Sequence, residues 1–168
     1  MEVGEGFVGS GPNAAHINTV LGERDGPVGS AWAGALAGPS SGHAPFLVVA
    51  QPGVAACPPT VFVNKAAIAS PAHARLTWGA AQAGVAAGIA EALRAGAVDR
   101  ERVDTLCLIA AVWVDPVADD EDAVFTNNAS AMAVALENGH AGAPGLDAFL
   151  AAAEEPWSRF FRARPAAS

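Results

Sequence analysis

Two alternating runs constrain this chain more than anything else in it. His16-Ile17-Asn18-Thr19-Val20-Leu21-Gly22 and Thr60-Val61-Phe62-Val63-Asn64-Lys65-Ala66-Ala67-Ile68 both read as β-strands. Strand side chains alternate between faces, so His16, Asn18 and Val20 share one face while Ile17, Thr19 and Leu21 share the other. By the same rule Val61, Val63, Lys65 and Ala67 lie together. Each run carries one residue able to move protons, His16 or Lys65, in an otherwise apolar setting. Placed in one sheet, the two strands bring a histidine and a lysine over a common cleft.

Punctuation and periodicity place the other elements. A strand is expected over residues 2–8, followed by a Gly/Pro turn into the His16 strand. A turn at 23–27 leads into an alanine-rich helix over 28–36, and Gly38-Pro39-Ser40-Ser41-Gly42 reads as a loop. The continuous apolar run 46–51 reads as a buried strand, and Pro52-Gly53 and Pro58-Pro59 bracket the turn into the lysine strand. Val85, Ile89 and Leu93 recur at helical spacing within a helix expected over 77–95, with Gln82 in its first turn and Gly96 closing it. A long apolar strand covers 106–114. Asp119-Asp120-Glu121-Asp122 opens a helix expected to reach Glu137 and stop at Asn138-Gly139. A short helix over 146–154 then leads into an aromatic, basic tail. This order predicts an α/β fold, an α+β two-layer sandwich whose mixed sheet has helices packed on one face. One domain over residues 1–153 and a tail over 154–168 follow.

Composition narrows the class. With 168 residues, 52% of them apolar and 15% charged, the chain can bury a core and is not disordered. So low a charged fraction also points to surface covered by other subunits, although a bias of the coding sequence towards alanine and glycine explains it equally. The net charge of −8 argues against nucleic acid as a partner, which requires a basic stripe. Met1-Glu2-Val3-Gly4-Glu5 has the features of no signal peptide, and no uninterrupted apolar run is long enough to span a membrane. Cys57 and Cys107 stand apart in apolar surroundings, which fits a reduced interior better than a disulfide framework. A soluble, cytoplasmic protein is the expectation.

Several local patterns resolve into structural readings. Gly9-Ser10-Gly11-Pro12-Asn13-Ala14 mimics a dinucleotide fingerprint, but that motif must open a helix, and here Pro12 and the alternating run lead into a strand. The acidic cluster 119–122 suits a helix N-terminus without any cation. His43, His73 and His140 show no paired ligand spacing, so no metal site is expected. The tail Pro156-Trp157-Ser158-Arg159-Phe160-Phe161-Arg162-Ala163-Arg164 is expected to dock on a neighbouring subunit rather than on nucleic acid.

Gly9 to Asn18, Gly26-Pro27-Val28-Gly29, Phe46-Leu47-Val48-Val49-Ala50, Val63-Asn64-Lys65 and Gly79-Ala80-Ala81-Gln82 together resemble the formaldehyde-activating enzyme family. The similarity runs without apparent gaps over about residues 4–94 and more loosely over 104–116. That family condenses formaldehyde with tetrahydromethanopterin to give methylene-tetrahydromethanopterin and water, a hydro-lyase reaction of one-carbon metabolism that detoxifies formaldehyde. The resemblance implies a ribosomal-protein domain-2-like fold and a ring-like homopentamer with each pterin site near a subunit interface. It also implies small-molecule substrates and no cofactor beyond the pterin co-substrate, since loss of water transfers no electrons.

In this resemblance His16 is the general acid. A pterin amine adds to formaldehyde to give a hydroxymethylamine, whose hydroxide leaves poorly until it is protonated. An unperturbed imidazole donates close to neutral pH. Leu47, Lys65 and Gln82 occupy ligand-contacting positions unchanged, with Lys65 against the substrate or the departing hydroxyl. Two ligand positions differ: Asn18 replaces an aspartate and Ala67 a threonine. Losing that carboxylate is expected to leave His16 less protonated at neutral pH. Val114-Asp115-Pro116 and Thr126-Asn127-Asn128-Ala129 likewise replace family motifs, keeping only Asn127. The departures leave two other readings open: condensation of formaldehyde with a different amine, or a non-catalytic pterin- or aldehyde-binding protein.

Overall fold

The computed structural model describes residues 1–158 and the backbone of residues 161 and 162. In chain order the elements are β1 (Glu2–Val8), β2 (Ala15–Glu23), α1 (Pro27–Ala37), β3 (Phe46–Leu47), β4 (Val49–Gln51), β5 (Val54–Ala55) and β6 (Thr60–Asn64). They continue with α2 (Pro71–Arg75), α3 (Gln82–Ala95), β7 (Leu106–Trp113), α4 (Glu121–Ala141), α5 (Leu146–Ala152), β8 (Trp157–Ser158) and β9 (Phe161–Arg162). Five strands form one sheet in the order β1-β2-β7-β6-β3. The β6–β7 pair is parallel and the other pairs are antiparallel, so the sheet is mixed, as the element order predicts.

Alternation along the strands decides what each face does. Ile17, Thr19 and Leu21 of β2 are buried together with Leu108, Ala110 and Val112 of β7 and Thr60, Phe62 and Asn64 of β6. This face carries α3 and α4, whose Val85, Ile89 and Met132 complete the core. Each large side chain buried there contributes about 1.5–3 kcal/mol. Helix α4 sits unusually close to β1. A Cβ on Gly4 would lie 1.7 Å from the Ala135 carbonyl oxygen, and one on Gly6 would lie 2.1 Å from that of Ala131. The two glycines remove the side chains that would hold the helix away.

The opposite face carries α1 at one end, a correction to the expectation of helices on one face alone, and Trp157 meets it at Phe7. Val28 of α1 packs against Gly22, which lies opposite Cys107 on that second face. Farther along, Val3, Glu5 and Phe7 of β1 share this face with Val20, Asn18 and His16. Val3 and Phe7 are 56% and 41% exposed.

Four local expectations change. The apolar run 46–51 is not one strand: the Val48 N–H still donates to the Thr60 carbonyl of β6, but its own carbonyl turns away to accept from Ala56 N–H. Pro52-Gly53 therefore closes a β4–β5 hairpin, with Gly53 at φ +83°, a conformation that favours glycine. The long helix begins at Pro71, six residues before the expected start. Ser70 caps it by accepting from His73 N–H, and a π-helical stretch, Leu76–Ala81, carries it into α3. Helix α4 runs past Asn138-Gly139 to end at Gly142, since Asn138 and Gly139 are needed against β1: Asn138 Nδ2 donates to the Glu5 carbonyl at 2.8 Å. Finally, the lysine strand stops at Asn64, whose side-chain amide donates to the carbonyls of Gly42 and Ala66 and turns the chain.

Of the tail, Trp157 lies edge-on to Phe7 of the same chain, with ring centroids 6.4 Å apart. Arg159, Phe160 and residues 163–168, on which much of the docking expectation rests, lie outside the described residues. No helix among the described residues is long and apolar enough to cross a membrane.

Candidate active site

Three of the six expected site residues converge on the second sheet face. The β2–β7 register sets His16 opposite Trp113 and Asn18 opposite Ala111. The β6–β7 register sets Val63 beside Ala111, and the Lys65 amide still donates to Val112, so Lys65 keeps that face one residue beyond the strand. His16 and Lys65 therefore flank Trp113 from either side. The lysine side chain then crosses over β7, and its Nζ donates to Asn18 Oδ1 at 2.8 Å. Ala111 is the residue it passes, and its single methyl leaves room.

Glu5 completes the group and was not anticipated from sequence. In the β1–β2 register it lies opposite Asn18, diagonal to His16, and its Oε1 stands 3.0 Å from His16 Nε2. Phe7, opposite His16, meets the imidazole edge-on at 6.1 Å. The signal was available: a short turn after Val8 pairs that residue with Ala15 and so sets Glu5 against Asn18.

The electrostatics follow from burial among like charges. Burial is the largest influence on His16 and lowers its proton affinity; the Lys65 ammonium lowers it further, and Glu5 opposes both. The direction matches the expectation of a less protonated His16, but its leading cause is burial rather than the missing carboxylate. Burial also pulls Lys65 down to about 8, again against Glu5. Lys65 thus exchanges its proton closer to neutrality than a free lysine does.

That depression predicts a stability effect. Below pH 8 Lys65 is charged in both folded and unfolded chains, so its desolvation cost is fully present. The cost fades as pH rises from about 8 towards the unfolded value of 10.5. Lys65→Met is therefore expected to stabilise the fold at pH 7 by about 1 kcal/mol, allowing for the partial exposure of the lysine, and so to raise Tm by about 2–4 °C. Melting curves of both proteins at pH 7 and pH 10 check this; the gap should narrow at the higher pH.

The other three expected residues lie elsewhere. Leu47 and Gln82 line a cleft of about 380 Å³ at the sheet edge with Phe46, Val49 and the exposed Trp78. Gln82 is not in a first turn but deep in a continuous helix, buried, with its Oε1 accepting from Val49 N–H at 2.6 Å. Leu47 pairs with Val61, four residues before Lys65, which puts this cleft roughly 13 Å along the strands from the His16 row. Ala67 is exposed in the loop beyond β6, against Gly42, and does not share the strand face with Lys65 as alternation predicted.

The remaining candidates serve structure. Asp120 caps α4 by accepting from Ala123 N–H, and Asn13 bonds Asp119, so the acidic cluster belongs to the helix start. His73 is buried, its Nδ1 accepting from Ala69 N–H and its Nε2 donating to the Val114 carbonyl. Among the described residues no three His, Cys, Asp or Glu side chains gather as a metal site would require.

Comparison with known proteins adds a lineage to this geometry. The family model described as formaldehyde-activating enzyme matches residues 3–160, beyond the stretch over which the sequence motifs align without gaps. A protein named 5,6,7,8-tetrahydromethanopterin hydro-lyase from Methanosarcina barkeri is 37% identical over 149 residues, which cover 89% of this chain and 84% of that protein. Proteins named bifunctional enzyme Fae/Hps from Methanothrix thermoacetophila and Archaeoglobus fulgidus are 36% and 35% identical over 148 residues, 88% of this chain. The chain spans only 38% of the length of each of these two.

Proposed function

The chain belongs to the formaldehyde-activating enzyme family, and we propose from that membership that it condenses formaldehyde with tetrahydromethanopterin, releasing water. The observation that carries the reading is the approach of His16, Asn18 and Lys65 on the second sheet face. The pterin amine adds to formaldehyde, and the resulting hydroxymethylamine must lose its hydroxyl. His16 donates the proton that turns hydroxide into water. Lys65, whose Nζ reaches across to Asn18, would hydrogen-bond the departing oxygen. The iminium ion left behind closes on the second amine, whose N–H proton is released and restores the acid form of His16. No electrons change hands, so the step requires no redox cofactor.

Leu47 and Gln82 would hold the pterin from the Trp78 cleft. In a ring-like homopentamer, which the family resemblance implies, one subunit's cleft would close against its neighbour's sheet face and bring these residues to a His16. The exposed Val3, on the same face as Glu5, is apolar surface that such a neighbour would cover. A ribosomal-protein domain-2-like fold and a cytoplasmic location belong to the same reading.

One observation favours a second reading. Asn18 Oδ1 already accepts from Lys65, so less of its capacity remains for a pterin amino group, and Ala67 offers no hydroxyl. A pocket so altered fits a different amine as formaldehyde acceptor. The deciding experiment measures methylene-tetrahydromethanopterin formation with and without protein, subtracting the spontaneous condensation, and repeats it with competing amines. Acceleration with tetrahydromethanopterin supports the first reading. Acceleration only with another amine replaces it with the second.

A further inference from the structure

We infer that Glu5 is the positioning residue for His16, fixing its ring tautomer and supplying the negative charge that His16 and Lys65 share. The inference rests on the proton-transfer role proposed above for His16. A carboxylate can only accept, so at 3.0 Å from Nε2 it keeps a hydrogen on that nitrogen. Nδ1 is then the nitrogen left to face substrate: a lone pair in the neutral ring, a donor in the charged one. Phe7 packs edge-on against the same imidazole and restricts its rotation.

The carboxylate is itself held in place. The Glu5 carbonyl accepts from Asn138 of α4 at 2.8 Å. Gly4 and Gly6, on either side, lie directly against the α4 backbone. Strand β1 therefore cannot slide without disturbing the helix layer, and Glu5 stays in register with Asn18.

Its charge acts on both cationic groups. His16 faces Glu5 from β1 and Lys65 from the end of β6, while its β7 neighbours, Trp113 and Ala111, are uncharged. Glu5 raises the proton affinity of both His16 and Lys65, against burial. Asn18 is neutral and cannot take over. With Glu5 neutralised, both groups lose their protons at lower pH.

The test compares the full-length wild type with Glu5→Gln and Glu5→Asp, using nitrogen-15 histidine spectra and the pH dependence of the rate. His16→Ala identifies the His16 signals among those of the other histidines. In Glu5→Gln the His16 titration should move to lower pH and its preference for hydrogen on Nε2 should disappear. The alkaline limb of the rate profile should move the same way, lowering the rate on that limb by about tenfold, the loss expected for one charge-assisted hydrogen bond. Glu5→Asp should restore part of each. Unchanged titration, tautomer and rate profile in a folded Glu5→Gln protein would overturn the inference. If the wild type itself shows no acceleration, the proposed reaction fails, and the spectra alone decide whether Glu5 sets the His16 proton.

Discussion

Replacing His16 with alanine is expected to lower the protein-dependent rate of condensation by about 10²- to 10⁴-fold, the usual contribution of one positioned general acid. The loss should fall on kcat, because the Leu47–Gln82 cleft, where most of the pterin would be held, is unaffected. Nor should the fold weaken. His16 is 39% exposed at its side chain, and its burial disfavours the charged ring, so the melting temperature should stay close to that of the wild type. Initial rates across pH, corrected for the spontaneous reaction, check this. A loss smaller than tenfold would mean that Lys65, with a proton affinity near neutrality, delivers the proton without His16. A protein that only binds would lose no rate and would keep its affinity for the pterin.

The second large effect is structural. Gly6→Val is expected to cost at least about 3 kcal/mol, at the upper end for overpacking, and so to lower Tm by about 6–12 °C. The reason is that the added Cβ meets backbone. It would fall 2.1 Å from the Ala131 carbonyl oxygen in the middle of α4, and neither the helix nor the strand can yield locally. The helix would have to lift from β1, breaking the bond from Asn138 to Glu5 and uncovering Ile17 beneath it. Activity should fall with the displacement of Glu5. Thermal unfolding followed by circular dichroism measures the first effect. A Gly6→Val protein that melts with the wild type would show that β1 and α4 are less tightly coupled than their contact distances require.

How much of this was legible beforehand depends on the range of the interaction involved. Strand β1 and the ends of β2 and β7 follow from alternation and apolar runs, because a half-buried strand writes its two faces into adjacent residues. The pairing of His16 and Lys65 on one face was legible for the same reason. Val48 was not. Its apolar side chain fits a continuous strand, and only a hydrogen bond from Ala56, eight residues on, divides the run. Asn138-Gly139 reads locally as a helix stop, yet Gly139 passes close to the Val3–Gly4 backbone and the helix needs both residues inside it. Gln82 was misplaced within its helix, since the π-helical stretch joining α2 to α3 leaves no periodic mark. Glu5 was missed because a charged residue on an edge strand ordinarily faces water. Only the register with β2 gives it a partner.

The position of β7 in the sheet bears on when the site comes into being during folding. It is the last strand of the sheet to be synthesised, yet it lies between β2 and β6, pairing with a hairpin on one side and with the later strands on the other. Before it inserts, His16 and Lys65 sit on strands that have no ladder between them. Loop-closure entropy must be overcome twice for the two parts of the sheet to meet, since β7 pairs with strands that precede it by tens of residues on either side. The meeting of His16, Asn18 and Lys65 is thus tied to completion of the sheet, because β7 is the strand that sets β2 and β6 side by side.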